Sequence, residues 1–400
     1  MLCFYLLRAR HLTFSKTTRN GATSLPMKFP FFRRSTQSIG YSQHHNSPHG
    51  SDRVLIGLLV LLTLVGILFV YDSSVVIAIR DFSDRFYFAK EQIKWIALGW
   101  IVLSVFSFIS YKNWYRAAVP ILMATIGLLL AVFIPGISVK ALGARRWINL
   151  GFMNLQPAEF AKLALVMYLS AWFSSKERKR FVPFLLLLGM VVGLILLQPD
   201  LGTAFIVLMI AVLLYFFSGA HLIQFVFLIP VLIIGVFLLA VVSPYRFARL
   251  TSFINPEKDP LGTSYQIRQA TLALGSGGLM GVGIGKSRQK YEYLPEANTD
   301  SIFAIIGEET GLVGATAISL LYVIILYRGY IIATGAKDGF GKLLALGISS
   351  WVGLQSMINI AAISALIPLT GIPLPLISYG GSNLVVMLAG LGILINISKH

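Results

Sequence analysis

The run FVPFLLLLGMVVGLILL, residues 181–197, holds no charged side chain and is followed almost at once by LGTAFIVLMIAVLLYFFS at 201–218. Crossing a hydrocarbon core of about 30 Å takes roughly 20 mostly apolar residues in helical form. Lipid offers no partner to backbone N–H and C=O groups, so only helices and closed barrels can cross it. The apolar runs are continuous and lack the alternation of a membrane barrel, which leaves helices. Hydropathy places about ten spans, at 54–71, 93–109, 114–134, 157–173, 181–197, 201–218, 222–243, 301–327, 343–367 and 376–397. Composition agrees: 56% of the 400 residues are apolar and only 12% are charged. The expected fold is an all-α polytopic membrane protein, with a tail over 1–53 and a membrane domain over 54–397.

Charge distribution sets the expected orientation. The net charge of +17 could suggest nucleic acid, but the basic residues sit mostly in short loops and the tail, which is a topology pattern. An even number of spans puts both termini on one side. With that side taken as cytoplasmic, the inner segments hold Arg33, Arg34, Arg53, Lys112, Arg116, the KERKR run at 176–180, Arg328, Lys337, Lys342 and Lys399. The outer loops at 198–200 and 368–375 hold no Lys or Arg. The large 244–300 loop between spans seven and eight carries seven, but long loops cross regardless of charge. Residues 1–53, with eight Lys/Arg against Asp52 and no helical or strand period, are expected to be a disordered cytoplasmic tail. MLCFYLL is too short for a signal peptide, and Met27 offers an alternative start. The single cysteine, Cys3, rules out an intrachain disulfide and a thiolate metal site.

Two outer segments, 135–156 and 244–300, are rich in Gly, Pro, Arg and aromatic residues, which marks them as functional rather than as connectors. The cluster GSGGLMGVGIG at 275–285 contains neither GxGxxG nor GxxxxGK[ST], so it is expected to let backbone bend and approach a ligand or a helix. HExxH and GxSxG are absent as well. No strong internal repeat is present, which disfavours a transporter built from duplicated halves.

Ionisable groups inside spans mark functional sites by default. In QPAEFAK, 156–162, Pro157 suits a first helical turn, and Glu159 and Lys162 share one face. They are read either as a helix-start acid with its neutralising lysine or as a ligand-clamping pair. In GEETG, 307–311, Glu308 and Glu309 lie roughly 10–13 Å along the eighth span, where they are expected to accept hydrogen bonds or pair with a buried cation. In LPEANTD, 294–300, Thr299 or Asp300 could simply cap the helix starting near Ser301, though no Glu or Gln three residues on completes a capping box. A cap leaves Glu296 unexplained, and it leaves unexplained the preceding KSRQKYEY, whose cations and tyrosines suit an anionic, sugar-bearing ligand.

Four stretches then carry a resemblance: GARRWINLGFMNLQPAEFAKLAL at 143–165, QPDLGTAFIVL at 198–208, SYQIRQATLALGSGGLMGVGIGKSRQKYEYLPEANTDSIFAIIGEETGLVG at 264–314 and TGIPLPLISYGGSNLVV at 370–386. In this order, over nearly all of 54–397, they resemble the shape, elongation, division and sporulation (SEDS) family of bacterial peptidoglycan glycosyltransferases. The PEAxTDxIFAIIGEE wording is closer to the family's division branch than to its elongation branch. The resemblance implies a ten-helix enzyme of the cytoplasmic membrane that polymerises lipid II on the outer face. It makes Asp300 the essential acid and candidate general base. It matches Glu159 and Lys162 to the family's intramembrane pair, and Arg146, followed by Trp147, to its arginine before tryptophan. The QPD motif falls on Gln198, Pro199 and Asp200, and ISYGGS on residues 377–382, with Ser378 and Tyr379 at its centre. Asn298 and Asn383 depart from the His and Ser common at those places.

Glycan polymerisation needs a sugar hydroxyl to attack an anomeric carbon and displace a lipid diphosphate, so a base and a positive counter-charge are required. Asp300 is assigned the first role, with Glu296 and Thr299 in support. Arg146, Lys286, Lys290 or a divalent cation, Mg²⁺ or Mn²⁺, is assigned the second, with Asp300, Glu296 and Asp200 as conceivable ligands. The resemblance also implies a class B penicillin-binding transpeptidase and other division proteins as partners. The rival classes are a lipid-precursor flippase, which would also use embedded charges and broken helices, and a non-catalytic scaffold.

Overall fold

The apolar runs form helices because every backbone polar group is then satisfied within its own segment. The computed structural model describes residues 51–400 except 142–143, 150, 152–153, 176–180, 229, 231–234, 236–252, 254–262 and 292. The helices are α1 (Arg53–Phe82), α2 (Tyr87–Phe108), α3 (Tyr111–Ala131), α4 (Pro157–Ser174), α5 (Phe181–Leu197), α6 (Leu201–Phe217), α7 (Thr263–Gly277), α8 (Ile302–Gly335), α9 (Gly339–Ile363) and α10 (Gly381–Ser398). Six of them, α1, α2, α3, α8, α9 and α10, are long and apolar enough to cross a membrane, and α5 and α6 are shorter apolar helices. The predicted 222–243 span is helical over 222–228, and most of its remainder lies outside the described residues, as does the tail over 1–50. Most predicted boundaries hold within a few residues. The largest departures are α1, which continues past 71 to Phe82 and ends on Ser83 in the left-handed region, and α8, which continues past 327 to Gly335.

The caps follow from short acids at the helix starts. Asp52 accepts the Leu55 N–H and also pairs with Arg328 of α8 at 2.7 Å, while Asp338 caps α9 through the Gly341 N–H. The core lies around α9, α10 and α4. These helices are mostly buried, whereas α1, α2, α3 and α8 expose the larger part of their apolar surface. Small residues set the closest approaches. Gly392 of α10 lies against the Leu103 backbone of α2, and Gly353 of α9 lies against Leu326 of α8.

The 135–156 segment departs from an all-helical chain. It forms a small antiparallel sheet, β1 (Ser138–Ala141), β2 (Ala144–Asn149) and β3 (Asn154–Leu155), in the order β1-β2-β3. Trp147 pairs with Val139, and Ile148 pairs with Ser138 on one side and Leu155 on the other. The segment lies outside the long apolar runs, so its backbone is free to pair with itself as a ladder.

The glycine cluster meets a helix, not a nucleotide. Helix α8 breaks at Gly311, with φ 68° and ψ −167°, which strands backbone groups on either side of the break. The chain at 278–283 satisfies them: the Val282 and Gly283 N–H groups donate to the Glu308 and Glu309 carbonyls, both at 3.0 Å. In return Leu312 and Val313 donate to the Gly278 and Leu279 carbonyls at 2.9 and 3.2 Å. Gly281, at φ 79°, faces the Glu309 carbonyl with no room for a Cβ, whereas Gly275 has open space. Gly281→Ala should therefore cost at least about 2 kcal/mol, as backbone strain plus forced separation from α8, and lower the unfolding temperature of the purified protein. Gly275→Ala should leave it unchanged.

Candidate active site

Asp300 sits in a turn whose backbone is held from several elements. Glu296, at φ 52°, bends the chain so that its carbonyl accepts the N–H groups of both Thr299 and Ser301 at 3.1 Å. The Thr299 hydroxyl lies between two acids, 2.8 Å from a Glu296 carboxylate oxygen and 3.5 Å from Asp300 Oδ1. Ser301 is the N-cap residue of α8 and makes no side-chain cap. Neither Thr299 nor Asp300 occupies the N-cap position allowed to them. Asp300 is 9% exposed, next to the helix start and beneath the turn.

The loop between α9 and α10 braces this turn from behind. The Ser378 hydroxyl donates to the Thr299 carbonyl at 2.5 Å and accepts the Leu374 N–H at 2.8 Å, while the Tyr379 N–H donates to the Asn298 carbonyl at 2.9 Å. Asn359 of α9 reaches the Asp300 and Ile372 carbonyls, each at 2.7 Å. Gln266 of α7 donates to the Ser301 hydroxyl at 2.9 Å. Three successive carbonyls, at 298, 299 and 300, are therefore each held by a donor from the α9–α10 region. Ser378 and Tyr379 do this holding. The Tyr379 phenol packs edge-on against Phe88, and burial, followed by the nearby Glu91 and Tyr87, pushes its pKa up to about 12.

Glu159 and Lys162 lie deep in the protein, 3% and 1% exposed, one turn apart on α4. The Lys162 ammonium is 2.7 Å from Glu159 and 2.9 Å from the Gln355 side-chain oxygen, and it stands 5.3 Å from the Trp351 ring. Asn383 donates to Glu159 at 2.8 Å, and Gln355 donates onward to the Pro373 carbonyl at 3.0 Å. Gln355 and Asn359, four apart on α9, thus hold neighbouring carbonyls of one loop. The pair is connected to the Asp300 turn through that loop and does not touch it.

Arg146 projects from β2 onto the α5–α6 turn, where its guanidinium donates to the Gln198 carbonyl at 3.3 Å and the Pro199 carbonyl at 2.5 Å. Among the described residues it pairs with no carboxylate, so no neighbouring acid offsets its charge. Trp147 follows it in the strand, half-buried. Gln198 donates to the Leu129 carbonyl at 2.9 Å. Asp200 caps α6: its oxygens accept from the Thr203 N–H at 3.1 Å, the Thr203 hydroxyl at 2.9 Å and Gln156 at 3.0 Å. Gly202, at the start of α6, abuts the Thr370 carbonyl and Ile372, so this corner also meets the α9–α10 loop.

The two lysines of the basic segment part company. Lys286 is exposed. Lys290 is buried, with its ammonium 2.6 Å from the Gly285 carbonyl, 2.8 Å from Asp72 of α1 and 3.5 Å from Glu309 of α8. Burial works to lower its pKa, but the Asp72 hydrogen bond and charge, with Glu309, outweigh that and raise it. Glu308 accepts from the Ser287 hydroxyl and the Arg288 N–H, and Glu309 from the Ser287 N–H. The glutamates of GEETG are therefore acceptors for this turn, as expected of them, whereas Lys290 is committed to an ion cluster. Among the described residues no three metal-binding side chains gather. Asp200 is occupied as a cap, which leaves Asp300 and Glu296 of the three acids expected to ligate a divalent cation.

The FtsW/RodA/SpoVE family, described as cell cycle proteins, matches residues 52–400. The chain belongs to this family. FtsW/RodA/SpoVE relatives include the stage V sporulation protein E of Bacillus subtilis, 41% identical over 355 residues that cover 87% of this chain and 97% of that protein. A probable peptidoglycan glycosyltransferase FtsW of Geobacter sp. (strain M18) is 38% identical over 357 residues, 88% of this chain and 97% of its own. Among solved structures, the rod shape determining protein RodA of Thermus thermophilus has a TM-score of 0.64 at 28% identity, covering 87% of this chain and 97% of that one. A chain in a peptidoglycan synthase complex that coordinates polymerization and crosslinking has a TM-score of 0.71 at 27% identity, covering 87% and 98%.

Within this FtsW/RodA/SpoVE chain, reasoning from charges and motifs missed the amides. Gln355, Asn359, Gln92 and Gln266 are uncharged, yet each holds a backbone or side-chain group of the site, Gln92 through the Ser378 carbonyl at 3.5 Å. The usable signal was an amide pair at i and i+4 in an otherwise apolar span, since a buried amide must be hydrogen-bonded.

Proposed function

We propose that this chain is a peptidoglycan glycosyltransferase that polymerises lipid II during cell division, with Asp300 as its general base. The observation that carries the proposal is the buried Asp300 carboxylate on a turn whose three consecutive carbonyls are fixed by Tyr379, Ser378 and Asn359, in a residue that is not the cap of its helix. A base must be held at a defined position to take its proton as the bond forms. In the reaction the 4-hydroxyl of an acceptor sugar attacks the donor's anomeric carbon. The new C–O bond forms as the bond to the diphosphate breaks, the bonding pair leaves with the diphosphate, and Asp300 takes the hydroxyl proton.

Arg146, paired with no carboxylate among the described residues, and the exposed Lys286 are the cations offered to the departing diphosphate. A divalent cation, if one is used, would be held by Asp300 and Glu296 together with diphosphate oxygens, the one- or two-carboxylate set that suits Mg²⁺, and would supply further charge neutralisation. Relatives named as probable peptidoglycan glycosyltransferases, at 38% to 41% identity, support the activity. The positive-inside distribution supports ten spans in the bacterial cytoplasmic membrane with both termini inside and Asp300 outside. The likeness to a synthase complex supports a class B transpeptidase as partner.

The deciding experiment is polymerisation of purified lipid II in detergent, where transport across a membrane is impossible. Glycan strands should form with the partner transpeptidase present, and a flippase or scaffold would yield none. Repeating the assay with EDTA should lower the rate at least about tenfold if a divalent cation is used, and leave it unchanged if Arg146 and Lys286 suffice.

A further inference from the structure

Lys290 is approached by two carboxylates, Asp72 at 2.8 Å and Glu309 at 3.5 Å, and all three side chains are buried or nearly so. One ammonium offsets only one of the two negative charges, and among the described residues Asp72 Oδ2 and Glu309 Oε2 are each buried with no hydrogen-bond partner. For folding alone, a single acid would serve Lys290 better than two. Glu309 already belongs to the helix on which this turn is folded, since the Glu308 and Glu309 side chains hold residues 287–289 and their backbone carbonyls hold 282–283. Asp72 is different. It comes from α1, and its bond to Lys290 ties α1 to the segment that leads into Asp300 ten residues later.

We propose that Asp72 is a positioning residue: through Lys290 it latches α1 to the 285–300 segment and thereby fixes where the Asp300 carboxylate stands. This rests on Asp300 being the base. Beyond Lys290 the chain is constrained again before Asp300. The Leu294 N–H closes on the Gln289 carbonyl at 3.1 Å, and Glu296 turns at φ 52°. A shift of the Lys290 end therefore reaches the turn at 296–300, whose far side is pinned by Asn359 and Ser378. Displacement of a reacting group by about 1 Å is enough to cost on the order of 10²-fold in rate. The latch should thus act on turnover more than on substrate binding.

Asp72 is a clean place to test this, because its loss leaves Lys290 paired one-to-one with Glu309 and bonded to the Gly285 carbonyl. Asp72→Leu removes the acceptor at similar size, and Asp72→Asn keeps an acceptor oxygen for Lys290. Both would be measured as lipid II polymerases with the partner transpeptidase, beside Asp300→Asn, with hydrogen exchange of 285–300 and unfolding temperature read on the same samples. For Asp72→Leu the expected result is kcat at least tenfold lower, KM within twofold and faster exchange over 285–300. For Asp72→Asn it is kcat within threefold of the parent. Unchanged kcat and exchange in Asp72→Leu, or a loss confined to unfolding temperature, would overturn the latch. If Asp72→Leu does not fold, Asp72→Asn decides by exchange: protection of 285–300 equal to the parent supports an acceptor-dependent latch, and loss of protection without loss of kcat overturns it. Activity retained in Asp300→Asn would instead overturn the assignment of the base, so the two failures are distinguishable.

Discussion

Asp300→Asn should lower the rate of lipid II polymerisation by about 10²- to 10⁴-fold, the range a positioned general base supplies, while leaving the protein folded. The fold should survive because the neighbouring structure binds the turn through its backbone. Tyr379, Ser378 and Asn359 engage the carbonyls of Asn298, Thr299 and Asp300, and Ser301 is the helix N-cap. Asparagine keeps the size of the side chain and loses its negative charge and its capacity to take a proton. Glu296→Gln, in contrast, should cost far less, because Glu296 contacts Thr299 and its main contribution to the turn is the carbonyl that accepts two N–H groups. Steady-state polymerisation assays, with unfolding temperature as control, separate the two. Equal losses at 296 and 300 would show that the pair acts as a unit, and an active Asp300→Asn would remove the base altogether.

Lys162→Met should be strongly destabilising. It leaves the Glu159 carboxylate 3% exposed, with Asn383 as its remaining donor at 2.8 Å, and it takes from Gln355 a partner at 2.9 Å. Removing one member of a buried ion pair typically costs 3–5 kcal/mol, about what a marginally stable protein can lose. The double variant Glu159→Gln/Lys162→Met should recover most of that loss, since no buried charge then goes unpaired. Unfolding temperatures of the three variants in one detergent measure the coupling. If the double variant regains stability but not polymerisation, the pair has a second role through Gln355, which holds the Pro373 carbonyl of the loop that braces Asp300.

Much of the architecture was legible in the one-dimensional pattern. The predicted 157–173 and 181–197 spans appear as Pro157–Ser174 and Phe181–Leu197, because a long apolar run with a proline or a charge cluster at its edge has few other options in lipid. The acids of GEETG were expected to find hydrogen bonds inside the protein, and they do, since a charge at that depth must. The 135–156 sheet was not expected, because its strands are short and its pairing partners become visible only once the chain folds back. Asp200 and Lys290 show the same limit. One is a helix cap that also holds Gln156 and the other part of an ion cluster with Asp72, and both of these partners are distant in the chain.

Hydropathy, charge bias and motif wording were thus enough to establish a helical membrane protein, the approximate positions of most of its described helices and the small group of acids and cations proposed for its chemistry. They act locally, through the transfer of each segment between water and lipid, and so they can be summed along the chain. Which acid stands on a braced turn and which joins a distant ion cluster depended on contacts across 59 residues, between Asp300 and Asn359, or 218, between Lys290 and Asp72. Only the folded chain settles these, because the free energy of a buried charge is set by the few groups within hydrogen-bonding distance of it, wherever in the sequence they arise.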